Sequence, residues 1–205
     1  MAELHQYFAT PVVTDQLDDA ASLNEALAAS ILAQRDADAG LKLSNRGGWH
    51  SRRDFPTWAG EAGQRLMKHA LQLANAFVVP RKGAQVEWAV DAWANASERG
   101  NLNAPHVHSG TYWSVVYYVQ VGDGEGGELI LHDPRMPGLR MHAPHLRFKD
   151  NGPEGRIKIQ PRAGEMILFP AWLWHSVEPW DGEGTRISVA MNIRAVQAQS
   201  RFAIR

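Results

Sequence analysis

The chain has 205 residues, a formal charge of −1, 44% apolar and 21% charged residues, eight tryptophans and no cysteine. That length fits one domain with a sizeable core, and the near-neutral charge gives no whole-chain attraction for nucleic acid or an anionic membrane. Without cysteine, disulfides and thiolate metal sites are excluded, so a bound metal must use His, Asp or Glu.

Residues 1–80 read as helical support with loops. Met1 to Leu17 shows no basic start followed by an apolar core, and no apolar run in the chain approaches a membrane span, so a soluble, cytoplasmic protein is expected. Ser22-Leu23-Asn24-Glu25 has the form of a capping box. Leu23, Leu27, Ser30, Ile31 and Gln34 then recur at helical spacing with Leu and Ile on one face, and Gly40 is the expected stop. Leu41 to Arg53 is rich in Ser, Asn, Gly and Arg and reads as loop. Asp54 and Pro56 start a second helix, with Leu66, Ala70, Leu73 and Phe77 as its apolar stripe and Pro80 as its end.

From Gln85 the period changes to two. Val86, Trp88 and Val90 alternate with Glu87, Ala89 and Asp91, as in a half-buried strand. Thr111 to Val121 is β-branched and aromatic, residues 122–127 form a glycine-rich turn, and Glu128 to His132 returns. Asp133 to Pro161 is an irregular excursion, and its stretch Leu139 to Gly155 is a candidate lid. Glu165 to Phe169, Leu173 to Val177 and Arg186 to Ile193 are three further strands. Short strands divided by turns predict a barrel or sandwich over residues 85–195, with 196–205 as a tail, all in a single domain.

The chemistry gathers in that β region. His106 and His108, at i and i+2 on an extended strand, point the same way. His175 on a distant strand closes a facial set around one metal, leaving positions open for co-substrate and dioxygen; its bland reading is a core histidine bonded to backbone. Arg186 and Ser188 point away from Ile187, Val189, Met191 and Ile193. A buried arginine needs an anion, and its planar fork matches a carboxylate. Arg186 is therefore a clamp on a dicarboxylate whose other end chelates the metal, half of an internal salt bridge, or an arginine at the rim. Asn95, Trp93, Trp113 and Arg135 are candidates to line the pocket. Trp113, Trp172 and Trp174 are expected to pack the barrel. His132, His142 and His145 are further candidate ligands whose irregular spacing favours surface positions.

His106-Val107-His108, the strand with Tyr117-Tyr118, the Gly126-Gly127-Glu128 turn, Asp133-Pro134-Arg135 and Phe169-Pro170 with His175 and Arg186-Ile187-Ser188 together resemble the 2-oxoglutarate/Fe(II)-dependent oxygenase superfamily. They are most similar to its small bacterial and phage branch related to prolyl hydroxylases, as is Gly47-Gly48-Trp49-His50-Ser51. The resemblance implies a mainly β fold, a double-stranded β-helix or jelly-roll barrel with the N-terminal helices packed outside. It implies Fe(II), 2-oxoglutarate and O2, with succinate and CO2 released as a substrate is hydroxylated. It places His106 and His175 on the iron, Arg186 on the distal carboxylate of 2-oxoglutarate, and Tyr118 and Ser188 beside that carboxylate. The superfamily usually has His-x-Asp where this chain has His106-Val107-His108. Either His108 completes a three-histidine site, or Asp133 or a water takes the third place.

A cupin-type metal dioxygenase or isomerase is the alternative. It lacks the glutamate usual shortly after His-x-His and leaves Arg186 without a task. A non-catalytic barrel that binds a small acid is the third reading. Nothing marks a nucleic-acid face or a membrane anchor, and the substrate, small molecule or peptide, is not legible.

Overall fold

The computed structural model describes residues 3–5, 7–81, 85–138, 145–149 and 155–197. Its elements, in chain order, are β1 (Val13–Gln16), α1 (Ala20–Ala37), β2 (Asn45–Arg46), β3 (Trp49–His50), α2 (Phe55–Trp58), α3 (Gly60–Ala76), β4 (Val86–Ser97), β5 (Leu102–His106), β6 (Trp113–Gln120), β7 (Leu129–His132), β8 (Arg156–Ile159), β9 (Glu165–Pro170), β10 (His175–Val177) and β11 (Arg186–Gln197). The strands form a six-stranded sheet in the order β1-β9-β6-β11-β4-β3 and a five-stranded sheet in the order β2-β5-β10-β7-β8. Every pairing is antiparallel. This is the two-sheet jelly roll expected, with the helices outside it.

Side-chain alternation along each strand separates the two faces of the large sheet. Ala92, Ala94, Val115, Tyr117, Ile187, Val189, Met191, Met166 and Leu168 point to one side. There they pack against Leu23, Leu27 and Ile31 of α1 and Leu66, Ala70 and Ala74 of α3. The other face carries Tyr118, Ile167 and Phe169, which pack on Leu129 and Leu131 of the small sheet. Two apolar layers thus hold three tiers together: helices, large sheet, small sheet.

Five expectations need correction. The helix α1 begins at Ala20, before the Ser22 box. Leu17 N–H donates to the Gly164 carbonyl, the chain turns at once into the helix, and Asp19 is its N-cap without a side-chain cap bond. The second helix is split, because Gly60 adopts φ +59° between α2 and α3. Phe77 lies beyond the last turn of α3 and is 57% exposed, so it is not part of the stripe. Trp172 and Trp174 do not pack the barrel; they lie in the turn between β9 and β10 and are 56% and 52% exposed. The strand β11 also runs on to Gln197, into the expected tail. Most of the candidate lid, with His142, lies outside the described residues. No helix among the described residues is long and apolar enough to cross a membrane.

Leu27 is wholly buried between α1 and the sheet. Leu27→Ala is expected to cost about 2–5 kcal/mol, as for other core leucines that leave a cavity. Chemical denaturation measures this, and a loss below about 0.5 kcal/mol would show that the helical layer does not support the sheet.

Candidate metal centre

Register across the large sheet sets the floor of the site. Asn95 on β4 pairs with His50 on β3 and with Ser188 on β11, and Ser188 pairs with Tyr118 on β6. The four side chains form one row on the inner face. Two residues along, Trp93, Ala190 and Val116 form the next row, and Asn192 beside Ser114 and Phe169 a third. Small residues at Ala190, Ser188 and Ser114 leave space, and a cavity of about 260 Å³ opens over these rows. The small sheet closes it from the other side with His106, His175, Leu129 and Val177.

The three histidines meet there. His106 on β5 is the direct cross-strand partner of His175 on β10. The strand β5 ends at His106, so His108 lies just past it instead of on it; its backbone N–H donates to the Ala171 carbonyl. The extended chain still returns the side chain to the same side. Ring centroids are 4.3 Å apart for His106–His175, 5.0 Å for His106–His108 and 5.1 Å for His108–His175. One ligand atom from each lies within 4.8 Å of the others, a spacing that can hold one metal ion.

Hydrogen bonds select the ring nitrogen that faces inward. His106 Nδ1 is 2.8 Å from the Ala104 carbonyl and His175 Nδ1 is 2.8 Å from the Leu173 carbonyl. A carbonyl only accepts, so Nδ1 carries the proton and Nε2 keeps its lone pair for a metal. His108 Nδ1 faces the Asn192 carboxamide, whose Nδ2 is 3.5 Å away while Oδ1 is buried without a hydrogen-bond partner. A half-turn of the carboxamide exchanges its two ends. Oδ1 then accepts from His108 Nδ1, and the third Nε2 is presented like the other two.

Burial keeps the set neutral. Desolvation, with lesser pushes from the neighbouring His106 and His108, pulls His175 down to about 3. Desolvation, then the charges of His106, Arg53 and His50, pulls His108 down to about 4. His106 is lowered as well, by burial.

At the other end of the cavity lies Arg186, 4% exposed. Its Nη2 donates to the Gly127 carbonyl at 3.0 Å, and its guanidinium sits over the Tyr118 ring, 5.2 Å from the centroid. Its Nε has no hydrogen-bond partner, and no carboxylate pairs with it among the described residues. Gly127 is required here. Its φ is +69°, and a Cβ would stand 3.0 Å from Arg186 Nε. Burial lowers the Arg186 pKa. The Tyr118 hydroxyl is also buried and without a partner, and burial pushes it up to about 12 against the opposing charge of Arg186. It therefore stays protonated and able to donate.

Of the other residues anticipated from the sequence, Asn95 and Trp93 line the cavity. Trp113 and Arg135 are not among its lining residues. Trp113 packs in the helix-side core, and Arg135 is held by Asp133 at 2.8 Å. That pairing also occupies Asp133, which lies outside the histidine group. His132 bonds Ser176 Oγ at 3.0 Å and is likewise outside it. Sequence reading gave no role to His50, Arg53, Ser114, Phe169 or Asn192. The alternation Arg186-x-Ser188-x-Ala190-x-Asn192 was the available signal for Asn192.

Residues 91–192, about half of the chain, match the family model described as "Putative 2OG-Fe(II) oxygenase". No curated protein matches the sequence. Among solved structures, the fold is similar to a Trichoplax adhaerens prolyl hydroxylase in complex with a hypoxia-inducible-factor peptide, at TM-score 0.65 and 14% identity over 89% of this chain and 83% of that one. A Pseudomonas putida prolyl-4-hydroxylase gives TM-score 0.60 and 19% identity over 90% and 92%. HygX from Streptomyces hygroscopicus, with nickel and 2-oxoglutarate bound, gives 0.58 and 14% over 90% and 83%. At these identities the structures speak to the fold.

The lowered histidine pKa values fix a pH dependence. The unfolded chain takes up protons near the ordinary value of 6.5, whereas folded His108 and His175 refuse them down to about 4 and about 3. Stability of the metal-free protein is therefore full above about pH 6.5 and is lost progressively as pH falls below it. Thermal melts of metal-free protein should show this fall, and it should be smaller in His175→Gln. Equal slopes in the two proteins would show that His175 is not held neutral.

Proposed function

We propose that this chain, which belongs to the 2-oxoglutarate/Fe(II)-dependent oxygenase superfamily, hydroxylates a C–H bond of a substrate as 2-oxoglutarate is converted to succinate and CO2. The observation that carries this reading is Arg186: a buried cation without an anionic partner among the described residues, in the same cavity as three neutral histidines. A buried charge needs a partner. A dicarboxylate that spans the cavity supplies one, with one end at Arg186 and the other toward the histidines. The residues present therefore fit both Fe(II) and 2-oxoglutarate.

His106, His108 and His175 would hold the metal through Nε2. Arg186 would take the distal carboxylate through the guanidinium atoms that Gly127 leaves unused. The Tyr118 hydroxyl, still protonated, and Ser188 would donate to the same group. Phe169 packs edge-on to His175 with centroids 4.7 Å apart and, with Leu129 and Val177, keeps that end apolar. Apolar walls exclude water and strengthen each charge interaction inside. When bound, Fe(II) with O2 and 2-oxoglutarate supplies the oxidation: one oxygen atom goes to the substrate C–H and the other to succinate, with loss of CO2. A histidine-only donor set leaves about two positive charges on Fe(II), where a carboxylate donor would leave about one. This favours a dianionic co-substrate and weakens the hold on the bare ion.

The defining experiment is aerobic incubation with Fe(II) and 2-oxoglutarate, with succinate and CO2 measured. Turnover slows without a prime substrate in such chemistry, so metabolite and peptide mixtures are added in parallel. Binding of metal and 2-oxoglutarate without succinate under any condition would favour the small-acid-binding barrel.

Arg186→Gln is expected to keep Ni(II), a redox-inert stand-in, and to weaken 2-oxoglutarate by at least about tenfold, since a charge-assisted contact is lost. Calorimetry reads both, and unchanged 2-oxoglutarate affinity would remove the clamp. The ligand set has its own graded test in a chelator-competition titration with Ni(II). His108→Ala should lose most metal affinity, and Asn192→Leu should lose about 10–100-fold, as for other partners of a metal-bound imidazole. Asn192→Asp, which retains the acceptor, should stay close to wild type. Full metal affinity in His108→Ala would show that His108 is not a ligand.

A further inference from the structure

We propose that the substrate carries an anionic group, a carboxylate or a phosphate, which Arg53 binds at the mouth of the cavity while the C–H to be oxidised sits inside. This deepens the oxygenase reading above and rests on it.

Arg53 lines the cavity and is exposed to solvent. It makes no ion pair or hydrogen bond among the described residues. Its guanidinium carbon lies 5.4 Å from the centroid of the Trp93 ring. Trp93 is held in turn by His50, stacked at 5.5 Å with 10° between planes, and touches the His108 ring at 5.7 Å. The indole therefore fixes the guanidinium next to the histidine group. Contact with the ring uses the face of the guanidinium. Its N–H donors lie in the plane at its edge, where they match a planar carboxylate or a phosphate. Arg186 meets an aromatic ring in a similar way at the inner end. The cavity lining thus includes two arginines set against aromatic rings, Arg53 on Trp93 and Arg186 on Tyr118.

Charge points the same way. No aspartate or glutamate lines the cavity among the described residues. The segment 41–53, which supplies Leu43, Ser44, His50 and Arg53 to the lining, contains Lys42, Arg46, Arg52 and Arg53 and no acidic residue. Of these, Arg52 is paired with Asp38 at 3.1 Å, away from the lining. With Fe(II) and 2-oxoglutarate in place, the metal and Arg186 bring about three positive charges against about two negative ones, and Arg53 adds a further positive charge. About two positive charges are left for the substrate to meet.

Size limits what else the site can take. At about 260 Å³ the cavity is at the small end for ligand sites, which span roughly 300–1,000 Å³. Once 2-oxoglutarate fills the inner part, one small group of the substrate fits beside the histidines and the rest stays in the mouth with Arg53.

The test uses full-length protein saturated with Ni(II) and 2-oxoglutarate, so that Arg186 is already occupied. Calorimetry then measures two matched pairs of probes: N-acetylglycine against N-acetylglycinamide, and glycerol phosphate against glycerol. One acid should bind at least about tenfold tighter than its neutral partner, and which acid does so separates a carboxylate from a phosphate. Arg53→Gln should erase that preference while Ni(II) and 2-oxoglutarate still bind, and Arg53→Lys should restore part of it. Three results overturn the proposal: acid and neutral probes binding alike, a preference that survives Arg53→Gln, or no acid binding below about 10 mM. If the wild type takes up neither Ni(II) nor 2-oxoglutarate before any probe is added, the oxygenase reading itself fails.

Discussion

A guanidinium buried with no carboxylate beside it among the described residues is a constraint on everything around it. Arg186 is nearly inaccessible, and among the described residues its Nε has no partner and its compensation is one carbonyl and the face of one tyrosine. Desolvating a charge costs several kcal/mol, which those two contacts offset only in part. A chain selected for stability alone would place an apolar residue there. The proposed dicarboxylate would bring the missing negative charge, and the surrounding geometry keeps space for it. Glycine at 127 prevents a side chain from closing on Arg186, and Ser188 and Ala190 keep the floor of the cavity low.

The two sheets divide the work. The large sheet, backed by α1 and α3, provides the floor of the cavity and its Arg186 end through β11, β6 and β4. The small sheet provides two of the three histidines, paired directly across β5 and β10. The histidine group therefore lies where the sheets face each other, and Asn192 on the large sheet reaches His108 beyond the end of the small one. Such a site depends on the packing between sheets as much as on its own residues. Phe169, Tyr118 and Leu129 are at once the core between the sheets and the wall of the cavity.

Much of this was legible in the sequence, for a local reason. Strand alternation is a period of two, so Arg186 and Ser188 could be placed opposite Ile187 and Val189 without knowing any partner strand. The absence of cysteine narrowed the donors to His and carboxylates, and His106, His108 and His175 were then the natural set. What was not legible depends on pairing between distant strands. His50 meets Asn95 because β3 adds to the edge of β4, and Arg53 reaches Trp93 as a consequence. No spacing within the chain encodes that register. The same limit explains Trp172 and Trp174: their composition suggested a core, while the turn that carries them between β9 and β10 leaves both at the surface. The capping box at Ser22 failed for a different reason, since the backbone bond from Leu17 to Gly164 starts the helix earlier.

The central claim is that Arg186 and the three histidines are two ends of one site bridged by one dicarboxylate. A crystal structure of the protein with Ni(II) and 2-oxoglutarate, with the metal located by its anomalous scattering, tests this most directly. The account predicts nickel at the Nε2 atoms of His106, His108 and His175, with the distal carboxylate of 2-oxoglutarate in hydrogen-bond contact with Arg186. Nickel bound elsewhere, or 2-oxoglutarate seated away from Arg186, would contradict it.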